Sequence, residues 1–488
     1  MPQGAVLSVN SPHPGRASGP EARPGPKLAA ANDQNTSFQR ARVDIDGFNL
    51  ALEEGTGIAT YGRSLSFRLA DLGCQVGVLY GRPTTGRDDL AQEVSFFDPV
   101  EVRPKRWIRP LYSAAAVVRA VPGVRARRIN LSGAVIAEDF RARLPHFDEI
   151  YNVSRLFQLA NDYFYAFGRP LKVVMDRPPD VMHWTYPLPI EVAGARNIYT
   201  MHDLVPLRLP HTTLDRKRRY LKLVRMLADR ADHLVTVSEA SRRDIIEILN
   251  VAPERVTNTY QAVDIPASAI GRPPDSIAAE VGGVFGLPYK GYFLFFGAIE
   301  PKKNINRLIQ AYLAANVASP LVIVGKRAWK STQELKLLGL DDMRNEMAKL
   351  SGADTPAGRR ILRINYTPTG MLMSLVQGAK AVLFPSLYEG FGLPVLEAMS
   401  LGTPVITSNT SSLPEVAGDA ALLVDPYDPH ALTAAVRTFE EDAELREELA
   451  ARGQVRAGMF SKDAYTARLG RLYRGLGLES APADGRAP

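Results

Sequence analysis

The residues with the most chemistry in this chain stand in the string Phe384-Pro385-Ser386-Leu387-Tyr388-Glu389-Gly390-Phe391-Gly392-Leu393-Pro394-Val395-Leu396-Glu397-Ala398-Met399. Glu389 and Glu397 flank a Gly-rich turn that opens directly into a helix, with Pro394 placed as its first residue. A helix starting behind such a turn offers unpaired N–H groups and a partial positive charge, which suit a phosphate or diphosphate. Glu397 is expected about two turns along the same face from Glu389. One anion site between two acceptors for sugar hydroxyls is what a nucleotide-sugar requires. A second set of residues could meet the same ligand. In Gly297-Ala298-Ile299-Glu300-Pro301-Lys302-Lys303-Asn304, two lysines stand where a strand runs into a helix, able to neutralise a diphosphate as its bond to the sugar breaks. His202, followed by Asp203, closes another strand, where an imidazole can bond a sugar hydroxyl or act on a proton.

These side chains need strand ends that face one another, and the pattern supplies them. Leu65–Gly73 reads as a helix with a glycine stop and Gln75–Tyr80 as the next strand. Further strands are expected at Val181–Trp184, Asn197–Thr200 and His233–Val237. A Pro/Gly-rich break from Asp264 to Leu287 follows, and a second series of strands occupies Tyr292–Gly297, Leu321–Gly325, Ala381–Phe384 and Pro404–Thr407. Repeated β–α alternation predicts an α/β protein of two doubly wound Rossmann-like domains with a ligand between the carboxyl ends of their strands. The expected division is a disordered segment 1–41, an N-terminal domain 42–270 and a C-terminal domain 285–458, followed by a helix 459–476 and a loose tail 477–488.

The long string resembles the signature of retaining glycosyltransferases of family 4, which have the GT-B fold. The likeness continues through Gly402–Ser408, Leu413–Ala421 and Val424-Asp425-Pro426, and covers roughly residues 43 to 475. The flavour is that of bacterial mannosyltransferases building exopolysaccharide and O-antigen. The resemblance implies a hexose donor, GDP-mannose first, and a glycan or polyprenyl-diphosphate-linked oligosaccharide acceptor. It gives Glu389 and the N–H groups of Gly390, Phe391, Gly392 and Leu393 to the donor sugar and phosphate, and Glu397 to the ribose. Lys303, with Lys302, goes to the leaving diphosphate, and His202 to the donor-sugar site. Gly57, in the loop Gly55-Thr56-Gly57, matches a glycine loop that in relatives approaches the donor phosphates or the acceptor, and is assigned by that likeness to donor binding. Many relatives carry arginine where this chain has Ala298, so the second phosphate contact falls to Lys302. The implied chemistry is same-face attack, with the leaving phosphate helping to deprotonate the acceptor. Other readings keep the fold with a different nucleotide-hexose, or with epimerisation or hydrolysis of the nucleotide-sugar. A non-enzymatic glycan- or nucleotide-binding scaffold is the remaining one.

Composition fits a large enzyme of two or three domains: 488 residues, 45% hydrophobic and 23% charged. No apolar run reaches the ~18 residues that span a bilayer, which predicts a cytoplasmic protein. Cys74 is the only cysteine, so no intramolecular disulfide is expected, and its place after Gly73 suggests a packed thiol. Asp44-Ile45-Asp46 has the Asp-x-Asp spacing of a metal site but sits on the first strand, far from other carboxylate pairs, and reads as incidental. The expectation is therefore no metal and no cofactor. Ser238 reads as a helix N-cap, with Glu239 beside it able to face the cleft. A net charge of +7 does not by itself call for nucleic acid. Two basic clusters, one running from Arg103 to Arg128 around Trp107 and Tyr112 and one from Arg216 to Arg225, could seat the protein peripherally on an anionic membrane, at the inner face of the plasma membrane.

Overall fold

The computed structural model describes residues 41–51, 57–84, 88–98, 109–132, 135, 144–326, 361–365 and 367–478. The expected disordered segment, but for residue 41, the Gly55-Thr56 pair, residues 103–108 of the first basic cluster and the tail beyond 478 lie outside these residues.

Two parallel sheets organise the chain. The first runs Val256–Asn258, His233–Thr236, Arg196–Thr200, Val181–Trp184, Arg42–Asp46, Gln75–Tyr80, Glu149–Asn152 and Arg127–Ile129, antiparallel only at the last pair. The strand order reverses around Arg42–Asp46, which pairs with both Gln75–Tyr80 and Val181–Trp184. The second runs Ile361–Ile364, Leu321–Val324, Phe293–Phe296, Ala381–Phe384, Val405–Ser408 and Leu422–Val424, all parallel. Its central strands, Phe-Leu-Phe-Phe and Ala-Val-Leu-Phe, are buried on both faces, as continuous apolar runs in a covered parallel sheet should be. A small parallel sheet of Val124–Arg125, Leu171–Val174 and Ile190–Val192 stands apart.

The helix before Gln75–Tyr80 is longer than its apolar pattern predicts, Gly57–Asp71, and stops at Gly73 with φ 79°. Cys74 behind it is buried, and that burial pushes its thiol up to about 12. The break at 264–287 is not a structureless joint. Pro274–Phe285 forms a helix there, started by Pro274 at its first position and ended by Gly286 at φ 65°. Ile277 and Val281 pack beneath Gly378, and Arg272 and Glu280 both bond Ser374, so this helix belongs with the second sheet. The many Pro and Gly residues mark its two ends.

The last helix, Lys462–Gly475, lies on the first sheet. Its Tyr473 hydroxyl is 2.7 Å from His183 Nδ1, whose Nε2 is 2.8 Å from Thr200 Oγ1, and Tyr61 joins the same threonine at 2.9 Å. Burial pushes His183 down to about 3, so the ring is neutral and both nitrogens need partners. Tyr473→Phe removes one and leaves a buried nitrogen unsatisfied, at a cost of about 1–3 kcal/mol. The expected outcome is a melting temperature a few degrees lower by calorimetry.

Candidate active site

Glu389 and the lysines leave neighbouring strands of the second sheet. Lys302 and Lys303 form a single 3-10 turn (Pro301–Lys303) after Phe293–Phe296, and Glu389 follows the adjacent strand Ala381–Phe384. The two loops are cross-bonded. Leu387 N donates to Lys302 O at 2.8 Å, and buried Asn304 donates through Nδ2 to Pro385 O and Pro426 O at 3.1 and 2.7 Å. This fixes Lys303 Nζ 2.6 Å from Glu389 Oε1 and 4.7 Å above the Phe384 ring. Lys302 Nζ lies 3.6 Å from the other oxygen of Glu389 and 3.7 Å from Glu300. Burial works against charge on Glu389, but Lys303 and then Lys302 hold its carboxyl below the ordinary range. Burial likewise works against Lys302, and Glu389, Asp203 and Glu300 hold it above the ordinary lysine value. Burial raises Glu300, which lines the same turn.

The Gly-rich turn comes next. Among the described residues, the N–H groups of Gly390, Phe391, Gly392 and Leu393 donate to no acceptor within the protein. The carbonyls are held instead: Ser412 Oγ is 2.9 Å from Glu389 O and 2.7 Å from Phe391 O, and Ser411 Oγ accepts from Glu389 N at 3.0 Å. The helix begins at Leu393, one residue before Pro394, behind Gly392 at φ 113°. A run of free N–H groups at a helix start is an anion cradle. The Phe391 side chain is not part of it, since it packs between Tyr260 and Phe460. Glu397 stands about one helical turn in, not two. It has no hydrogen-bond or ion-pair partner among the described residues, and burial pushes its carboxyl up to about 7.

The first sheet meets this turn at His202 and Asp203. A Cβ added to Gly390 would stand 2.7 Å from His202 O and 3.1 Å from Asp203 Oδ2, so only glycine permits the approach. His202 Nε2 is 2.9 Å from Thr185 O. A carbonyl only accepts, so Nε2 carries the proton and Nδ1 the lone pair. Burial lowers the His202 pKa and keeps the ring neutral, and Tyr61 packs edge-on against it at 4.8 Å. Gly57 is the exposed first residue of the helix that carries Tyr61, with open space where a side chain would be. Ser238 caps its helix, its Oγ 3.0 Å from Ser241 N. Glu239 accepts from Asn258 at 2.9 Å. Of the first basic cluster, Arg125 and Arg128 are engaged in ion pairs with Asp176 and Glu149 at 2.8 and 3.1 Å.

Several contributors escaped the sequence reading. Ser411 and Ser412 sit between two quoted segments and carry no spacing signal. Glu415 accepts from Glu239 N and Ala240 N at 2.8 and 2.9 Å, so a carboxylate of one body caps a helix of the other. Tyr388, next to Glu389, donates to Asp244, which also takes Arg208 Nε at 2.8 Å. Nothing local marks these partners, and Glu415–Glu239 and Tyr388–Asp244 lie 176 and 144 residues apart.

Two family models match this architecture: Glycosyltransferase Family 4 over residues 55–265 and Glycosyl transferases group 1 over 287–456. The O-antigen chain mannosyltransferase B of Escherichia coli is 35% identical over 284 residues, 57% of this chain and 70% of that protein. The serotype-specific mannosyltransferase WbdA of Escherichia coli is 28% identical over 291 residues; the match takes in 57% of this chain and only 33% of WbdA. Among solved structures, sucrose-phosphate synthase from Thermosynechococcus elongatus superposes with a TM-score of 0.58 at 17% identity, covering 90% of this chain and 99% of that one. The fold is therefore GT-B, two Rossmann-like bodies around a crevice. The chain belongs to the group 1/family 4 glycosyltransferases and is a hexosyltransferase.

The burial of Glu397 is testable. A carboxyl whose folded pKa is raised from 4.5 to about 7 penalises the fold as pH climbs through that window, and fully above it. Glu397→Gln removes the penalty. Glu397→Gln should melt like the parent at pH 4.5 and above it at pH 8, as followed by calorimetry at the two pH values.

Proposed function

We propose that this chain moves a hexose, mannose from GDP-mannose, onto a glycan or a polyprenyl-diphosphate-linked oligosaccharide, with retention, in polysaccharide biosynthesis. The observation that carries this reading is the buried Lys303–Glu389 pair beside four unbonded N–H groups. The N–H groups suit the donor's phosphates, Glu389 its sugar hydroxyls, and Glu397 the ribose. The acceptor hydroxyl attacks the anomeric carbon on the face that the diphosphate leaves. The new C–O bond forms as the sugar–phosphate bond breaks, and the hydroxyl proton passes to the departing phosphate. Lys303 and Lys302 stabilise charge that exists only as the bond breaks. His202, neutral, offers Nδ1 to a hydroxyl of the same sugar. The choice of mannose and of an O-antigen-type acceptor follows the names of the Escherichia coli relatives.

With these two ammonium groups in place, the reaction is proposed to need neither a divalent metal nor a cofactor. A donor panel of GDP-mannose, UDP-glucose and UDP-galactose, with release of nucleoside diphosphate followed in EDTA, tests this. GDP-mannose turnover should persist in EDTA and fall about 10²-fold or more in Glu389→Ala and Lys303→Ala. Turnover only with another donor keeps the fold and changes the sugar.

Localisation is proposed to be cytoplasmic and peripheral, at the inner face of the plasma membrane. Among the described residues no helix is long and apolar enough to cross a membrane. The helix Lys217–Arg230 turns Arg218, Lys222 and Arg225 outward and forms, with Arg169, a groove of about 620 Å³. Exposed Tyr165 and Phe167 stand beside it, with Arg219 5.5 Å over Tyr165 and Arg169 5.6 Å over Phe167. Cations interleaved with rings suit an anionic lipid surface. Co-sedimentation with phosphatidylglycerol vesicles should exceed that with phosphatidylcholine, fall in 0.5 M salt, and be lost in the double variant Lys222→Glu/Arg225→Glu.

A further inference from the structure

Three neighbouring strands of the first sheet end at one level, and each contributes a residue to a single hydrogen-bonded line. Arg42–Asp46 pairs with Val181–Trp184, which pairs with Arg196–Thr200. Beyond these ends stand Asp46, Thr185 and His202. Asp46 Oδ2 accepts from Thr185 N at 2.5 Å, and Thr185 O accepts from His202 Nε2 at 2.9 Å. Both backbone polar groups of Thr185 are thereby spent, one on the carboxylate and one on the imidazole. The other carboxylate oxygen takes Phe48 N at 3.1 Å, closing a tight turn on Asp46 itself. Gly47 sustains that turn, since a Cβ there would stand 2.3 Å from the Tyr80 ring.

Asp46 is wholly buried, and among the described residues it forms no ion pair. Burial pushes its carboxyl up to about 6, against the hydrogen bonds from Thr185 and Phe48. A buried carboxylate without a cation is costly, and an apolar side chain of similar size would serve packing better. Asp44, two residues earlier, shows the structural alternative: its carboxylate is bonded by Arg42 Nε and Nη2 at 2.9 and 2.8 Å. The two aspartates share the Asp-x-Asp spacing and none of their partners.

We propose that Asp46 is a positioning residue for the reaction, acting through Thr185 to fix the tautomer and orientation of His202 at the donor sugar. With Nε2–H committed to Thr185 O, the lone pair of Nδ1 is the part of the ring left for a ligand. An Asp46 that no longer holds Thr185 N lets the 185–186 segment shift, and the imidazole shifts with it. Misplacement of a contact by about 1 Å can cost up to 10²-fold in rate while leaving ground-state binding nearly intact.

This rests on the placement of His202 at the donor sugar, so the test separates the two. Donor turnover is measured for Asp46→Ala, Asp46→Asn, His202→Ala and the Asp46→Ala/His202→Ala double variant, with folding checked by circular dichroism. The expected result is a kcat about tenfold or more lower in Asp46→Ala with KM for the donor within about twofold, and no further loss when Asp46→Ala is added to His202→Ala. Equal losses in both backgrounds, or parental kcat in Asp46→Ala, overturn the proposal. Histidine ¹⁵N spectra give an independent readout should Asp46→Ala fail to fold. In the parent, His202 should show a protonated Nε2 and an unprotonated Nδ1. In Asp46→Leu, which keeps no acceptor for Thr185 N, those shifts should move toward the tautomer average, and unchanged shifts overturn the proposal. Parental turnover in His202→Ala would sink the role given to His202, and the ¹⁵N shifts would still decide whether Asp46 governs its ring.

Discussion

A lysine ammonium and a glutamate carboxylate held 2.6 Å apart in a crevice are the interaction on which this site depends. Such a pair is poor as a stabilising device, because desolvating both charges offsets much of their attraction. Its worth lies in what it keeps charged. Lys303 and Lys302 hold Glu389 below the ordinary carboxylate range, and Glu389, Asp203 and Glu300 hold Lys302 above the ordinary lysine value, so an acceptor and two donors stand side by side. The surrounding bonds serve that arrangement: Asn304 ties the lysine turn to the Pro385 loop, and Ser412 gathers the carbonyls around Glu389 and Phe391.

The two bodies meet beside the crevice through polar contacts as well as through Phe391, which packs between Tyr260 and Phe460. Gly390 leaves room for the His202 carbonyl, Glu415 caps the helix that starts at Glu239, and Tyr388 reaches Asp244. Bonds of this kind contribute little net stability when water can replace them. Burial raises the Glu415 carboxyl, against the hydrogen bonds from Ala240 N and Glu239 N.

Three buried carboxylates, Asp46, Glu300 and Glu397, are pushed above the ordinary range with incomplete compensation. Asp46 closes a strand, Glu300 precedes the lysine turn, and Glu397 stands one turn inside the helix that starts at Leu393. Their cost is borne by the large apolar core, which runs continuously from Val43 through the second sheet to Leu478.

Much of this was legible in the chain itself. Strands such as Val181–Trp184 and Ala381–Phe384 announce themselves because a covered parallel strand is a short, unbroken apolar run. Glu389 and the glycine turn stand out because their residues are contiguous, whereas the pairing of Glu389 with Lys303 spans 86 residues. The helix at Pro274–Phe285 was hidden by proline and glycine residues that read alike as a linker and as the two ends of a helix. The role of Ser412, the seam through Glu415, and the meaning of Asp46 were not legible, because each depends on a partner far along the chain. Sequence determined which groups could do chemistry and on which local element each would stand, since propensity, capping and periodicity act over a few residues. Only the tertiary structure decided that Asp46 faces Thr185 and that His202 meets Gly390, because hydrogen bonds between distant residues are set by distances of a few ångströms that the spacing along a chain does not encode.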